Sequence, residues 1–419
     1  MNAGGRGSSP RTGAHAHAGV RTAYARHLDP VTSVDLCVAQ IGPVMPALLM
    51  VFCGGKHDPH IVRAAFRAAF GDVPVVGGAA VGAMTFDGLG YSGLEIAVVA
   101  FVDTATTPRL LVTRNLLDDE QAAGHDLGVR LRDVASPGSV VLLLFDSVAV
   151  AAPLRLHPAS TIVEGLQQGL AGYRIDLFGG GLLTDLNLSD GWVFTGEDVA
   201  RHAAVAVVFP PSVTASTVVM HGCRPVSTFM HITRIEGAEV FELDGEPALT
   251  VIERRLGLPL GGAQGHDLTL LATLGEKHGD LFSPYDERDY VNRLIVTCDR
   301  DRGSVTLFEP DFHVGTTVQI MSRDNALMLQ SVRDGVAASN AAGDTMSGSA
   351  PLLTMYIDCA GRASARSGAA TEEAALVLSA LDRTAPMIGF YSGVEIAPFK
   401  GYSRPLDWTG VLTTLRVAL

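Results

Sequence analysis

One pattern recurs three times along the chain and constrains its fold more than any single motif does: a short apolar strand, a break, a helical stretch, a second strand ending in glycine, and a further apolar strand. The first copy reads "ALLMVFCGGKHD", "PHIVRAAFRAAFG", "VPVVGGAAVG" and "GLEIAVVAFV". Its middle segment sets Ile61, Val62, Ala65, Phe66, Ala69 and Phe70 at helical spacing. The second copy reads "SVVLLLFDSVAV", "ASTIVEGLQQGLAG", "IDLFGGGLLTDL" and "HAAVAVVF", and the third "PLLTMYIDCAGR", "TEEAALVLSAL", "APMIGFYSGVEIAP" and "WTGVLTTLRVAL". Cys53, Asp146 and Cys359 then occupy comparable strand ends, as do Gly77-Gly78, Gly179-Gly180 and Gly389-Phe390. The expected fold is α/β, with repeated strand-helix-strand units forming mixed β-sheets.

A chain of 419 residues exceeds one ordinary core, so two or three packed units are expected. With 47% hydrophobic and 18% charged residues the composition is globular. The net charge of −13 would repel a nucleic-acid backbone or an anionic membrane, and no Lys/Arg block offsets it. Five cysteines in no CxxC pattern suggest neither a disulfide framework nor a zinc ribbon and fit a reducing, cytoplasmic compartment. Apolar runs such as Val140 to Phe145 fall far short of the roughly 20 residues that span a bilayer. The opening "MNAGGRGSSPRTGAHAHAG" lacks a signal-peptide core, so residues 1–30 read as a disordered tail in which His15 and His17 are incidental.

From Met220 to Gly262 the pattern changes. Alternating residues with Glu-Gly and Asp-Gly dipeptides indicate β-hairpins, followed by an amphipathic helix closed by Gly257. Strands are expected again from Asn292 to Met321, with "DRDRG" as a turn, then a helix begun by Asp324 or Asn325, and then a Gly/Ser-rich loop, "NAAGDTMSGSA". The natural division lies near residue 225, giving domains 31–225 and 226–419.

The run "MYIDCAGRAS", a helix opening on "TEEAA", and "PMIGFYSGVEIAPFKG" resemble, in order and spacing, the carboxy-terminal half of the FIST family of sensory proteins. "LLMVFCGGKHD", "VPVVGGAAVG" and "FGGGLLTDL" resemble its amino-terminal half, and the likeness spans residues 34 to 417. Two departures stand out: Val394-Glu395-Ile396 replaces the family's Gly-Glu-Ile, and "LDWTG" replaces its polar step before the last strand. The resemblance implies two FIST-like halves with a cleft between them and a small-molecule sensor, for amino acids or similar metabolites and, in some members, haem with a gaseous ligand.

At the end of a buried strand Arg362 offers a planar fork for carboxylate or phosphate, or else for an internal salt bridge to Glu372, Glu373 or Glu395. Glu395 is costly to bury unpaired and would accept from a ligand amine or pair with Arg362. Tyr391 would wall the site, with Phe390 in the core. Cys359 is a nucleophile only if a base adjoins it, and otherwise packs. Thr184 and Asp185 of "GGGLLTDLN" can face the cleft, and this run is no nucleotide-binding motif. His57, His60 and His313 are the candidate haem or metal ligands, while Asp58 reads as a helix cap. No CxxCH, HExxH or GxSxG motif is present. The leading expectation is an intracellular sensor for a small acidic metabolite or amino acid, acting through a separate partner protein. The rivals are a haem-binding sensor or enzyme, a cofactor-free enzyme using Cys359, Arg362 and Glu395, and a scaffold.

Overall fold

In a computed structural model describing residues 19–257, 271–345 and 348–418, the chain forms three six-stranded sheets and a closed barrel. The first repeat supplies β1 (Val20–Arg26), α1 (Pro30–Ile41), β2 (Leu48–Gly54), α2 (Pro59–Phe70), β3 (Val75–Ala80), β4 (Ala83–Thr85), β5 (Gly88–Gly90) and β6 (Glu95–Phe101). The second supplies β7 (Arg109–Thr113), α3 (Glu120–Val134), β8 (Val140–Asp146), a small hairpin of β9 (Val148–Ala151) and β10 (Leu154–Leu156), α4 (Ala159–Leu170), β11 (Asp176–Leu182), β12 (Val193–Gly196), β13 (Val199–Ala200) and β14 (Ala204–Val208). The third begins with β15 (Val213–Met220) and resumes after the barrel with α6 (Asn325–Thr345), β24 (Ser349–Cys359), α7 (Ser364–Ser367), α8 (Glu373–Ala380), β25 (Met387–Ser392), β26 (Glu395–Phe399), β27 (Tyr402–Leu406) and β28 (Gly410–Ala418).

The same pairing recurs in each repeat. β2 runs parallel to β3 and antiparallel to β6; β8 lies likewise between β11 and β14, and β24 between β25 and β28. Each sheet is completed by a hairpin from another repeat: β12 and β13 extend β3, β26 and β27 extend β11, and β4 and β5 extend β25. The loan is cyclic, so every repeat gives a hairpin to one neighbour and receives one from the other. Sequence division near residue 225 falls at the first barrel strand, but the two halves interlock across it through these hairpins.

Strand alternation divides the apolar side chains between two layers. Leu48, Met50 and Phe52 of β2 share one central core with Val140, Leu142 and Leu144 of β8 and with Leu353, Met355 and Ile357 of β24. The intervening Leu49, Val51 and Cys53 pack with Val34, Val62 and Phe66 of α1 and α2, and Val141, Leu143 and Phe145 pack with α3 and α4. Where two parallel strands meet, Gly77 has φ 118°, and a Cβ on it would lie 2.1 Å from the Val51 carbonyl oxygen. Its counterparts Gly179 and Gly389 crowd the carbonyls of Leu143 and Tyr356 at 1.9 and 2.5 Å in the same way.

The barrel is inserted between β15 and α6. β16 (Arg224–Pro225), β17 (Met230–Glu236), β18 (Glu239–Leu243), β19 (Glu246–Pro247), α5 (Ala248–Leu256), β20 (Ala272–Lys277), β21 (Tyr290–Asp299), β22 (Ser304–Leu307) and β23 (Thr317–Ser322) follow in order. β23 pairs with both β17 and β20, which closes a ring of six strands, and Leu249, Val251 and Ile252 of α5 pack into its core. The expected turns at Glu236-Gly237 and Asp244-Gly245 join β17, β18 and β19, and Gly257 ends α5 in the left-handed conformation.

Two local expectations need correction. Residues 20–26, read as tail, form β1, paired with β6 from Val20 opposite Phe101 to Arg26 opposite Glu95; Val20 and Ala23 are buried, enough to order the strand. The rest of that segment, 1–18 with His15 and His17, lies outside the described residues. α6 runs on to Thr345, into the stretch read as a loop, where Ala341 and Ala342 favour helix and the Asn340 side chain is tied to Ala380 and Asp382. Among the described residues no helix is long and apolar enough to cross a membrane.

Replacing Gly77 by Ala forces a Cβ against the Val51 carbonyl at a positive φ. It should lower stability by more than about 1 kcal/mol in urea denaturation. An unchanged midpoint would show that the parallel pair tolerates a wider spacing.

Candidate functional site

The carboxyl end of β24 carries most of the polar residues singled out in the sequence. Asp358 and Cys359 close the strand, and a single tight turn, Ala360–Arg362, follows. Arg362 is 0% exposed. Its Nε donates to Glu373 Oε2 at 2.9 Å and its Nη2 to Glu373 Oε1, while Nη1 donates to the carbonyls of Trp408 at 2.9 Å and His221 at 3.2 Å. Tyr356 donates to the same Glu373 at 2.7 Å. The fork expected to hold a ligand's acid is therefore occupied by Glu373, one of the three internal partners considered. The side chain fixes the strand end to α8 and to the entry of β28.

The other acids are also engaged. Tyr391 donates to Glu372 at 2.6 Å, and Glu372 accepts the Ser364 N–H at 2.9 Å. Glu395 accepts from Ser392 Oγ at 2.6 Å and from the Thr409 N–H at 3.2 Å, not from Arg362. Asp358 is fully buried, and among the described residues neither of its carboxyl oxygens has a hydrogen bond; Arg362 Nε lies 3.4 Å away. Burial pushes the Asp358 carboxyl well above the usual range, with Glu373 adding to the shift and Arg362 opposing it. Burial raises Glu395 likewise. It also keeps the Cys359 thiol protonated, 5% exposed and far from the thiolate that a nucleophile needs. Of the Cys359, Arg362 and Glu395 constellation, the thiol is held protonated and the guanidinium is engaged by Glu373.

Thr184 donates to the Asp190 carbonyl at 3.1 Å, and a Cβ on Gly55 would lie 2.4 Å from its own Cβ. Asp185 accepts the Asn187 N–H at 2.8 Å and the Ser189 hydroxyl at 3.1 Å. Both residues shape a loop. His57 is buried with Nε2 on the Leu94 carbonyl at 3.0 Å; His60 is exposed in the first turn of α2, where Asp58 caps the helix; His313 is exposed on a barrel loop beside Thr316. None of the three lines the cavity described next. Among the described residues no three His, Cys, Asp or Glu side chains are grouped to hold a metal ion.

A cavity of about 130 Å³ lies directly beside this cluster. Leu186 and Leu188 from the loop after β11 form one wall, Leu294, Val296 and Phe308 of the barrel another, and Cys359, Gly361, Ser392, Gly393 and Trp408 the floor, with the exposed Arg366 also in the lining. Leu188 and Trp408 both have φ 58°, in the left-handed region that few residues other than glycine adopt. Trp408 belongs to the "LDWTG" departure already visible in the sequence. The barrel wall had no such signal, because its residues approach only through tertiary packing. A larger, more open groove of about 520 Å³ lies between α4 and β27 and contains none of the candidate residues.

Charged contacts hold the barrel wall in place. Glu309 accepts the N–H groups of Ala159 at 3.0 Å and Ser160 at 2.8 Å, which caps α4 where Pro158 provides no side-chain cap. Buried Arg293 donates to Asp311 at 2.6 Å and to the Pro405 carbonyl at 3.3 Å, and Arg404 donates to Asp311 at 3.0 Å. Burial and neighbouring charge raise Glu309 to about 7, and burial raises Asp407 to about 6.

Two outcomes are expected. Glu373→Ala leaves the Arg362 charge buried without its main partner and should cost about 3–5 kcal/mol in urea denaturation, with Arg362→Met costing less than that when Glu373→Met accompanies it. Raised carboxyl pKa values favour the protonated, folded form, so the stability from Glu309 and Asp407 is complete below about pH 4 and is lost as pH rises through about 6 to 7. The thermal midpoint should fall across that window, and Asp407→Asn should flatten the fall.

Comparison with known proteins agrees with this architecture. A FIST N domain is recognised over residues 47–246 and a FIST C domain over residues 248–398. An uncharacterized protein of Mycobacterium tuberculosis is 26% identical over 378 residues, covering 84% of this chain and 95% of the relative. An uncharacterized protein of Mycobacterium bovis is 26% identical over 247 residues, covering 58% of this chain and 61% of the relative. With both domains matched in order over most of its length, the chain belongs to the FIST family.

Proposed function

We propose that the protein is a small-molecule sensor whose ligand occupies the cavity between β24, the loop after β11 and the barrel. The observation that carries this reading is the cavity's construction. Both halves and the barrel contribute walls, and two of its lining residues, Leu188 and Trp408, hold a backbone conformation that ordinary packing seldom selects. We take it as the cleft that the family resemblance implies between two FIST-like halves.

The lining narrows the ligand. Leucine, valine, phenylalanine and tryptophan side chains favour a compact, largely apolar body, about the size of benzene by comparison with a cavity of about 150 Å³ that binds it. Arg366, exposed in the lining, favours an acidic group directed towards solvent. A small carboxylic acid with an apolar body, an apolar amino acid included, satisfies both. All five cysteines are free, in keeping with action inside the cell. The signal passes to a separate protein when ligand shifts the balance between conformations of the barrel and the sheets.

Trp408 supplies the test. In a Trp192→Phe background it is the remaining tryptophan, and titration with small apolar carboxylic acids should change its emission. Val296→Trp, which fills the cavity from the barrel side, should weaken binding at least about tenfold with the fold intact by circular dichroism. Binding unaffected by Val296→Trp would place the ligand elsewhere, and native mass spectrometry showing no retained or added ligand across this class would remove the reading.

A further inference from the structure

The three sheets begin with equivalent edge strands, β1, β7 and β15, and their edges are treated differently. Tyr24 of β1 turns its backbone outward, and Gln40 of α1 satisfies both groups as another strand would: Nε2 donates to the Tyr24 carbonyl at 2.8 Å and Oε1 accepts its N–H at 3.0 Å. On β7, Arg130 of α3 donates to the outward Val112 carbonyl at 2.8 Å. In each case a long polar side chain from the helix before the first core strand blocks the edge. Such a block keeps unpaired N–H and C=O groups from templating another strand.

β15 lacks this cover. The Ala418 N–H donates to the Ser212 carbonyl at 3.0 Å, so even-numbered residues of β15 face β28 and the backbone groups of Ala215, Thr217 and Val219 point outward. Among the described residues none of these groups has a hydrogen-bond partner. The matching part of α6, Val336 to Gly343, carries short side chains, and its one amide is turned to Ala380 and Asp382 instead. At eight residues β15 is also the longest of the three edges.

We infer that β15 is the docking edge for a second copy of this chain, paired antiparallel about a twofold axis at Thr217. The outward groups are symmetric about that residue: Thr217 meets its own equivalent, and Ala215 meets Val219 of the second copy, each pair able to exchange both backbone hydrogen bonds. "VTASTVVM" contains no charged residue, so the two strands bring no like charges together although the whole chain carries −13. Its β-branched residues suit a strand with a neighbour on each side. The result joins two six-stranded sheets into one across the dimer. A contact this narrow belongs to the weak, reversible class of interfaces.

Sedimentation of the full chain from low micromolar to near-millimolar concentration tests this, with a rise in mass from one copy towards two as the expected result. Thr217→Pro deletes an outward N–H and spares every backbone bond between β15 and β28, removing only the Thr217–Thr413 hydroxyl contact, and should hold the chain at one copy with unchanged circular dichroism; Thr217→Val, which removes that contact alone, should still dimerise. Should that variant misfold, Thr217→Cys keeps the test open, since mild oxidation should yield a chain-to-chain disulfide only where the two residues are opposed. A chain that stays monomeric throughout, a dimer that survives Thr217→Pro, or Thr217→Cys that forms no disulfide at concentrations where the mass has doubled would each overturn the inference.

Discussion

Backbone pairing between a lent hairpin and the strand that receives it is the constraint on which the structure rests. A sheet ending at β3, β11 or β25 would expose a full row of buried-strand hydrogen-bonding groups, and in each repeat the missing partner comes from elsewhere in the chain. The glycines at these strands follow from the same geometry. Gly78 takes the close approach of Trp192 and Val193 in the borrowed hairpin, while its neighbour Gly77 takes that of the parallel strand. Because all three inner faces also share one apolar core, no repeat can bury its strands alone. The three should therefore form one cooperative unit.

Beside that frame, the Arg362 cluster is engaged within the fold. A guanidinium that binds a glutamate with two nitrogens and two carbonyls with the third joins α8, the approach to β15's end and the start of β28. Such a pair contributes position more than net stability, because the desolvation of both charges offsets much of their attraction. What it positions is the cavity floor: Gly361 and Trp408 flank the arginine's own contacts. The candidate residues and the cavity thus occupy adjacent layers, with the charged layer holding the apolar one.

Much of this was legible in the sequence because it depends on local periodicity. Strand alternation and helical spacing place the three repeats, and equating Gly77, Gly179 and Gly389 anticipates the three close parallel pairs. Barrel hairpins were visible at Glu236-Gly237 and Asp244-Gly245 through their turn chemistry. The cyclic exchange was not, since backbone hydrogen bonds carry no side-chain signature and Gly180 meets Glu395 from far along the chain. Nor was the choice of partner for Arg362: Glu372, Glu373 and Glu395 were equivalent acids until the first turn of α8 turned Glu373 inward. Strand pattern located Cys359 correctly, whereas its burial, which decides its chemistry, came from Trp408 and the barrel.

Glu309 has a consequence beyond holding the barrel in place. A helix normally keeps its own cap within a residue of its start, so its first turn is a local matter. Here α4 takes its cap from an insertion. The first turn of α4 therefore reports where the barrel stands, as a latch reports whether a door is shut. A displacement of the cavity wall that carries Glu309 away would leave two amides without their acceptor, and the helix would have to fray or find water. The barrel wall of the cavity and the helix on the outer face of the second sheet thus share a single glutamate.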